Sequence, residues 1–146
     1  MLLLGGCASG TLHLDTPQVS GATADHCAAL VTALPDSLAD QPRRTVEASH
    51  GPAAAWGDPP IVLRCGVPVP AGWDPRYGSC QGVNGVFWFI PEDQITGQPV
   101  DVVMTTVDRA ENVEVQVPAE YFPPAAAMAG LADAIKRTVP ATKPCV

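Results

Sequence analysis

The sequence predicts an α+β domain of two layers: an antiparallel sheet of four to five strands, with an N-terminal and a C-terminal helix packed on one face. Three observations predict it. Short β-branched runs recur between residues 61 and 117, the connections between successive runs are short, and a helical apolar stripe lies near each end of the chain. With 146 residues, 47% hydrophobic and 16% charged, the chain has room for one domain with one modest core. Its 16 prolines and 13 glycines predict many turns and long ordered loops.

Taken in order, residues 1–7 read as a truncated signal peptide ending in a lipobox. Leu4-Gly5-Gly6-Cys7 places an aliphatic residue and two small ones before a cysteine, the pattern that bacterial lipid attachment requires. The basic start and the full apolar run of about 7–15 residues are missing or cut short. The alternative is an incidental thiol at Cys7 near a loose end. Residues 8–23 carry Gly, Ser, Thr and Pro without periodicity and read as a flexible tether. Residues 24–146 form the expected single disulfide-stapled domain.

Within it, Cys27, Leu30, Val31 and Leu34 share one helical face, with Thr23 or Asp25 as the N-cap and Pro35 ending the pattern. Thr45-Val46-Glu47 reads as a short edge strand, and residues 49–60 as a loop with Trp56 near its end. Residues 61–67 are β-branched and alternate, so Ile61, Leu63 and Cys65 face one way and Val62 and Arg64 the other. A Pro- and Gly-rich loop over 68–82 carries Trp73, Arg76 and Tyr77. In the run that follows, Asn84-Gly85 is a turn or a bulge, and Val86 to Ile90 is apolar on both faces, as in a central strand. Residues 100–107 and 112–117 make a hairpin, the second strand alternating valines at 113, 115 and 117 with polar partners. The last element is a helix over 125–138. Met128, Leu131, Ile135 and Val139 form its buried stripe, and Lys136 and Arg137 complement its dipole.

Four cysteines remain beside Cys7, and an even number in a small exported domain reads as two disulfides. Three pairings are open. Cys65–Cys80 and Cys27–Cys145 are preferred, the first because a hairpin-like return joins two neighbouring strands. That bond closes a loop of about 15 residues, worth on the order of 3 kcal/mol. Zinc is the rival reading, but there is no Cys-x-x-Cys pair, and His26 and His50 are the only histidines in the expected domain. No metal and no cofactor is expected.

The residues resemble a known family. Ala54-Ala55-Trp56-Gly57 leads into Pro59-Pro60-Ile61-Val62-Leu63-Arg64-Cys65-Gly66-Val67, and Val83-Asn84-Gly85-Val86, Trp88-Phe89 and Val113-Glu114-Val115 follow. Over residues 25–140 this is similar to a family of actinobacterial exported lipoproteins known as domain of unknown function 3515. The resemblance implies an envelope location and cysteines consistent with those here. It brings no established activity, so no functional residue is carried over.

The net charge of −7 argues against nucleic acid, which needs a basic surface. It also disfavours adhesion to anionic lipid, so membrane attachment is expected through the lipid anchor alone. No Gly-x-Ser-x-Gly elbow is present, and Ser79 beside Cys80 reads as a turn serine. Asp58, Asp74, Glu92, Asp93, Asp108 and Glu111 read as acids of turns and solvent faces, not a catalytic pair. His26, at a helix start, reads as a capping or solvent-contacting residue, and His50, in a Gly-Pro loop, likewise. No catalytic residue is assigned. The candidate binding surface is Trp56, Arg64, Trp73, Arg76, Tyr77 and Asn84, the side-chain types that anchor interfaces, set mainly on loops beside strands. Arg64 has a structural alternative, clamping loop carbonyls; Trp56 and Trp88 have one in the core. The expected function is a non-enzymatic envelope binding or accessory module for a protein partner or a cell-wall component. A small cell-wall hydrolase using Asp or His, and a lipid-binding carrier, are the alternatives.

Overall fold

The computed structural model describes residues 10–143 and 145. Cys7 and the rest of the expected signal segment lie outside them. Among the described residues ten strands and two helices follow in order: β1 (Leu12–Leu14), α1 (Gly21–Ala33), β2 (Ser37–Leu38), β3 (Gln41–Arg44), β4 (Val46–Ala48), β5 (Ala53–Trp56), β6 (Ile61–Cys65), β7 (Gln81–Val83), β8 (Val86–Phe89), β9 (Val102–Thr106), β10 (Val113–Val117) and α2 (Ala125–Thr138). Single 3-10 turns follow β8 and β10, at Glu92–Gln94 and Ala119–Tyr121.

The class is α+β, but the main sheet has eight strands, in the order β2-β3-β5-β6-β10-β9-β8-β7, where four to five were expected. Every pairing in it is antiparallel. The additional strands are short pieces at both edges, β2 and β3 at one and β7 at the other, together with β5, which fell inside the expected 49–60 loop. Ala53-Ala54-Ala55 carries little β propensity, so nothing local marks a strand there. Tertiary pairing makes it one, with Ala54 opposite Leu63 and Trp56 opposite Ile61. The Asn84-Gly85 step is the turn of the β7–β8 hairpin, both residues having positive φ (51° and 86°) as a two-residue hairpin turn demands.

Period-two alternation sorts the sheet into an inner and an outer face. Ile61, Leu63 and Cys65 of β6, the three valines of β10, Met104 of β9 and Val86 and Trp88 of β8 are buried together with Leu30 of α1 and Met128, Leu131 and Ile135 of α2. Burying each such side chain contributes roughly 1.5–3 kcal/mol against the entropy of ordering the chain. The expected stripe of α2 is the one buried. Helix α1 starts earlier than its apolar pattern indicates: Ser20 is its N-cap residue, so Thr23 and Asp25 lie inside the helix.

Two further expectations are corrected. The disulfides are Cys27–Cys65 and Cys80–Cys145, with Cα separations of 5.6 and 6.5 Å, in place of Cys65–Cys80 and Cys27–Cys145. The reason lies in the facing of Cys65. It alternates with Ile61 and Leu63 onto the helix-covered face, where Cys27 of α1 sits, and its neighbour across the sheet is Val113 of β10, not the chain near Cys80. Residues 10–23, expected as tether, are folded onto the domain. β1 runs parallel to β4, the Thr16 amide donates to Ser49 Oγ at 2.9 Å, and the His50 amide donates to Thr16 Oγ1 at 2.9 Å. These bonds satisfy backbone groups that a tether would leave to water. Among the described residues no helix is long and apolar enough to cross a membrane.

Candidate functional site

Residues 66–80 connect β6 to β7 and carry the aromatic cluster noted in the sequence. The loop is built from turns: the Trp73 amide donates to the Pro70 carbonyl at 3.2 Å, and the Tyr77 amide to the Asp74 carbonyl at 3.1 Å. Asp74 then organises Arg76. One carboxylate oxygen accepts the Arg76 amide at 2.9 Å and its Nε at 3.2 Å, and the other accepts Nη2 at 3.0 Å. The bonds from the Arg76 side chain, and then from its amide, hold the Asp74 carboxyl below the usual carboxylate range. The guanidinium so fixed lies 5.3 Å from the centre of the Tyr77 ring, within cation–π reach. Trp73 turns the other way and packs its indole on Phe89 of β8, ring centres 5.5 Å apart and tilted by 57°. Gly78 fits beneath that indole because a Cβ there would collide with it.

Between this loop and the end of β8 lies an open depression of about 690 Å³, walled by Gly72, Tyr77 and Ser79 on one side and Phe89, Pro91 and Ile95 on the other. Among the described residues three large hydrophobic side chains are left exposed, and two of them line this depression. Tyr77 is 83% and Ile95 48% exposed on its walls, and Val69, on the same loop, is 65% exposed. A second depression, of about 550 Å³, lies on the outer sheet face between Pro59, Val62, Val103, Gln116 and Pro118. It presents no comparable anchor, and the nearby Tyr121 hydroxyl is committed to the Pro59 carbonyl at 2.7 Å.

The structure also pairs two residues that the sequence left apart. His26 Nδ1 lies 2.8 Å from Glu111 Oε2, and Thr23 Oγ1 donates to Glu111 Oε1 at 3.2 Å. Glu111 was expected on a solvent-facing turn and is buried, as is Asp108, which accepts the Phe87 amide. The turn between β9 and β10 carries both inward, held by Thr106 Oγ1, which accepts the Val113 amide at 2.9 Å. A carboxylate on Nδ1 sets the tautomer and leaves Nε2 as the acceptor, the orientation used by general bases. Among the described residues, however, Nε2 of His26 makes no hydrogen bond to a hydroxyl, and its neighbour Cys27 is oxidised.

Residues 5–144 match the family described as "Protein of unknown function (DUF3515)". The chain belongs to this family. No curated protein and no solved structure matches the chain. In this DUF3515 chain the six expected surface residues separate. Trp73, Arg76 and Tyr77 come together on the loop. Trp56 does not join them: it is fully buried in the core, its Nε1 donating to the Pro35 carbonyl at 2.9 Å and its ring lying 5.4 Å from the Arg43 guanidinium. Arg64 takes its structural alternative on the outer face. Its Nε donates to the Asp15 carbonyl at 2.8 Å and its Nη1 to Gln116 Oε1 at 3.0 Å, which ties the N-terminal segment to the sheet. Asn84 is at the tip of the β7–β8 hairpin, in a backbone role. The sequence reading missed Ile95 and Phe89 as parts of the depression. The apolar-on-both-faces pattern of residues 86–90 was the available signal, since Phe89 lies on the face opposite the helices.

Proposed function

We propose that this chain is an exported envelope lipoprotein, anchored through a lipid on Cys7, whose folded part is a non-enzymatic binding module for a protein partner. The observation that carries the binding reading is the exposure of Tyr77 and Ile95 on the walls of one depression, beside the loop that also carries the exposed Val69 and Trp73 and Arg76. Exposed apolar side chains that cluster, with Tyr, Trp and Arg among them, are the composition of an interface core. The aliphatic anchors favour a protein over a cell-wall glycan, because Ile95 and Val69 offer nothing to a polyhydroxylated ring. The envelope location is supported by two disulfides, which persist outside the reducing cytosol. The net charge of −7 disfavours adhesion to anionic lipid, so in this reading attachment runs through the lipid on Cys7.

The test is site-specific photo-crosslinking in intact cells, with the probe at position 77, at position 95 and, as a control, at the exposed position 137 of α2. The reading predicts one protein adduct common to 77 and 95 and absent at 137. No adduct at the first two, or the same adduct at all three, would overturn it, and an adduct to glycan would transfer the site to a cell-wall ligand.

A second reading, a small envelope hydrolase with His26 as base, is favoured by the 2.8 Å contact with Glu111. It requires turnover of cell-wall peptide or glycan by the purified chain that falls by about 10²–10⁴ in His26→Ala. Turnover unchanged in that variant, or absent in the wild type, removes it.

A further inference from the structure

The two disulfides sit in different surroundings. Cys27 and Cys65 are both fully buried, inside the core cluster between α1 and β6. Cys80 and Cys145 are both half-exposed. Cys80 is the last residue of the aromatic loop and adjoins Ser79 in the wall of the depression. Cys145 lies beyond the backbone bonds that hold the C-terminal segment, in which the Ala110 amide donates to the Pro140 carbonyl at 2.8 Å and the Thr142 amide to the Asp108 carbonyl at 2.7 Å.

We propose that Cys80–Cys145 is a thiol-exchange site, open to an external dithiol reductant while the protein stays folded, and that this bond latches the loop carrying Trp73, Arg76 and Tyr77. A thiolate of the dithiol attacks one of the two sulfurs and forms a mixed disulfide, expelling the other cysteine as a thiolate that takes up a proton. The second thiol of the reagent then displaces the remaining cysteine, so two electrons pass from dithiol to protein and the reagent leaves as its own disulfide. The rate of such exchange depends on access of the attacking sulfur. At Cys27–Cys65 that access requires lifting α1 from the sheet, which is close to global unfolding. At Cys80–Cys145 it requires no rearrangement of the core.

Opening the outer bond leaves the C-terminal chain held as far as Thr142. The loop keeps its internal Asp74–Arg76 bonds and its two ends stay tied, by the Gly66 and Val67 amides on the Asn112 carbonyl and by the pairing of β7 with β8, while between those ends the packing of Trp73 on Phe89 holds the aromatic segment to the sheet. The meaning of the latch for partner capture rests on the binding reading above; the exchange and the ordering of the loop do not.

The experiment treats the native full chain with limiting dithiothreitol, traps free thiols with iodoacetamide, and follows each cysteine by peptide mass spectrometry alongside amide hydrogen exchange. Alkylation of Cys80 and Cys145 is expected to run on the order of a hundredfold ahead of Cys27 and Cys65. Faster amide exchange is expected over residues 68–80, with β6, β9 and β10 unchanged. Equal rates for the two pairs, or the inner pair first, would overturn the exchange site. Unchanged amide exchange after selective reduction would overturn the latch. The C80S/C145S variant must show the same loop exchange without reagent; a loop as protected as in the wild type refutes the latch by a second route. Failure of crosslinking at position 77 would remove the partner and leave these outcomes untouched.

Discussion

Replacing Cys27 and Cys65 together by alanine should destabilise the fold more than replacing Cys80 and Cys145, even though the second pair closes the longer loop. Sequence separations of 38 and 65 residues give, from loop-closure entropy, about 4 kcal/mol for either bond, with the longer loop ahead by a few tenths. Burial reverses that order. Without Cys80–Cys145 the chain at Cys145 is released into water, and the entropy the folded state regains offsets much of what the unfolded chain gains. The expected cost is about 1–2 kcal/mol. Without Cys27–Cys65 the ends of α1 and β6 remain packed in the core, nothing is regained, and the lost sulfur contacts add about 1 kcal/mol or more. The expected cost is about 4–6 kcal/mol, a large part of the total stability of a domain this size. Urea denaturation of the two double variants, with slopes checked for two-state behaviour, measures both. An outer-pair variant destabilised as much as the inner-pair variant would refute the argument from burial.

Other consequences are measurable in the same material. Trp56→Phe removes the bond from Nε1 to the Pro35 carbonyl and leaves a gap beside Arg43, so thermal unfolding should report a loss of roughly 2 kcal/mol. In Glu111→Gln the buried partner of His26 loses its charge; nitrogen-15 spectra should show the wild-type ring held with its proton on Nδ1 and the variant ring mixed between tautomers. Because the Asp74 carboxyl is depressed, its ordering of the loop is present above the ordinary carboxylate range and is lost as pH falls through its folded value. Carboxyl carbon shifts should therefore follow Asp74 at lower pH than an exposed aspartate, and Arg76→Ala should move that titration upward.

How much of this was legible from residues alone follows from how local each signal is. The three valines of β10 and the stripe of α2 are periodic over a full element, and each is buried as its spacing indicates. β5 was hidden because its alanines state no preference and its strand character comes from β3 and β6 on either side. The disulfide pairing was in part available. Cys65 shares a face with Ile61 and Leu63, Cys27 shares the apolar stripe of α1, and a helix on that face brings the two together. Sequence proximity drew the opposite choice. At the site, Trp73, Arg76 and Tyr77 were found because loop composition is local, whereas Ile95 reaches the depression only through the fold. Trp56 misled because its place beside glycine and prolines resembles a loop, while its register opposite Ile61 puts it in the core. Glu111 was hidden for a like reason: a turn acid faces solvent unless the turn folds inward, and that depends on Thr106 and His26.

Whether the exposed patch beside the 66–80 loop holds a partner is open to one direct measurement. With a photo-crosslinking residue at position 69, the adduct formed in the envelope by the otherwise wild-type chain should disappear when Tyr77 and Ile95 are both changed to serine, with the melting temperature changed by less than about 2 °C, as for surface sites. An adduct that persists at wild-type yield in that background would contradict it.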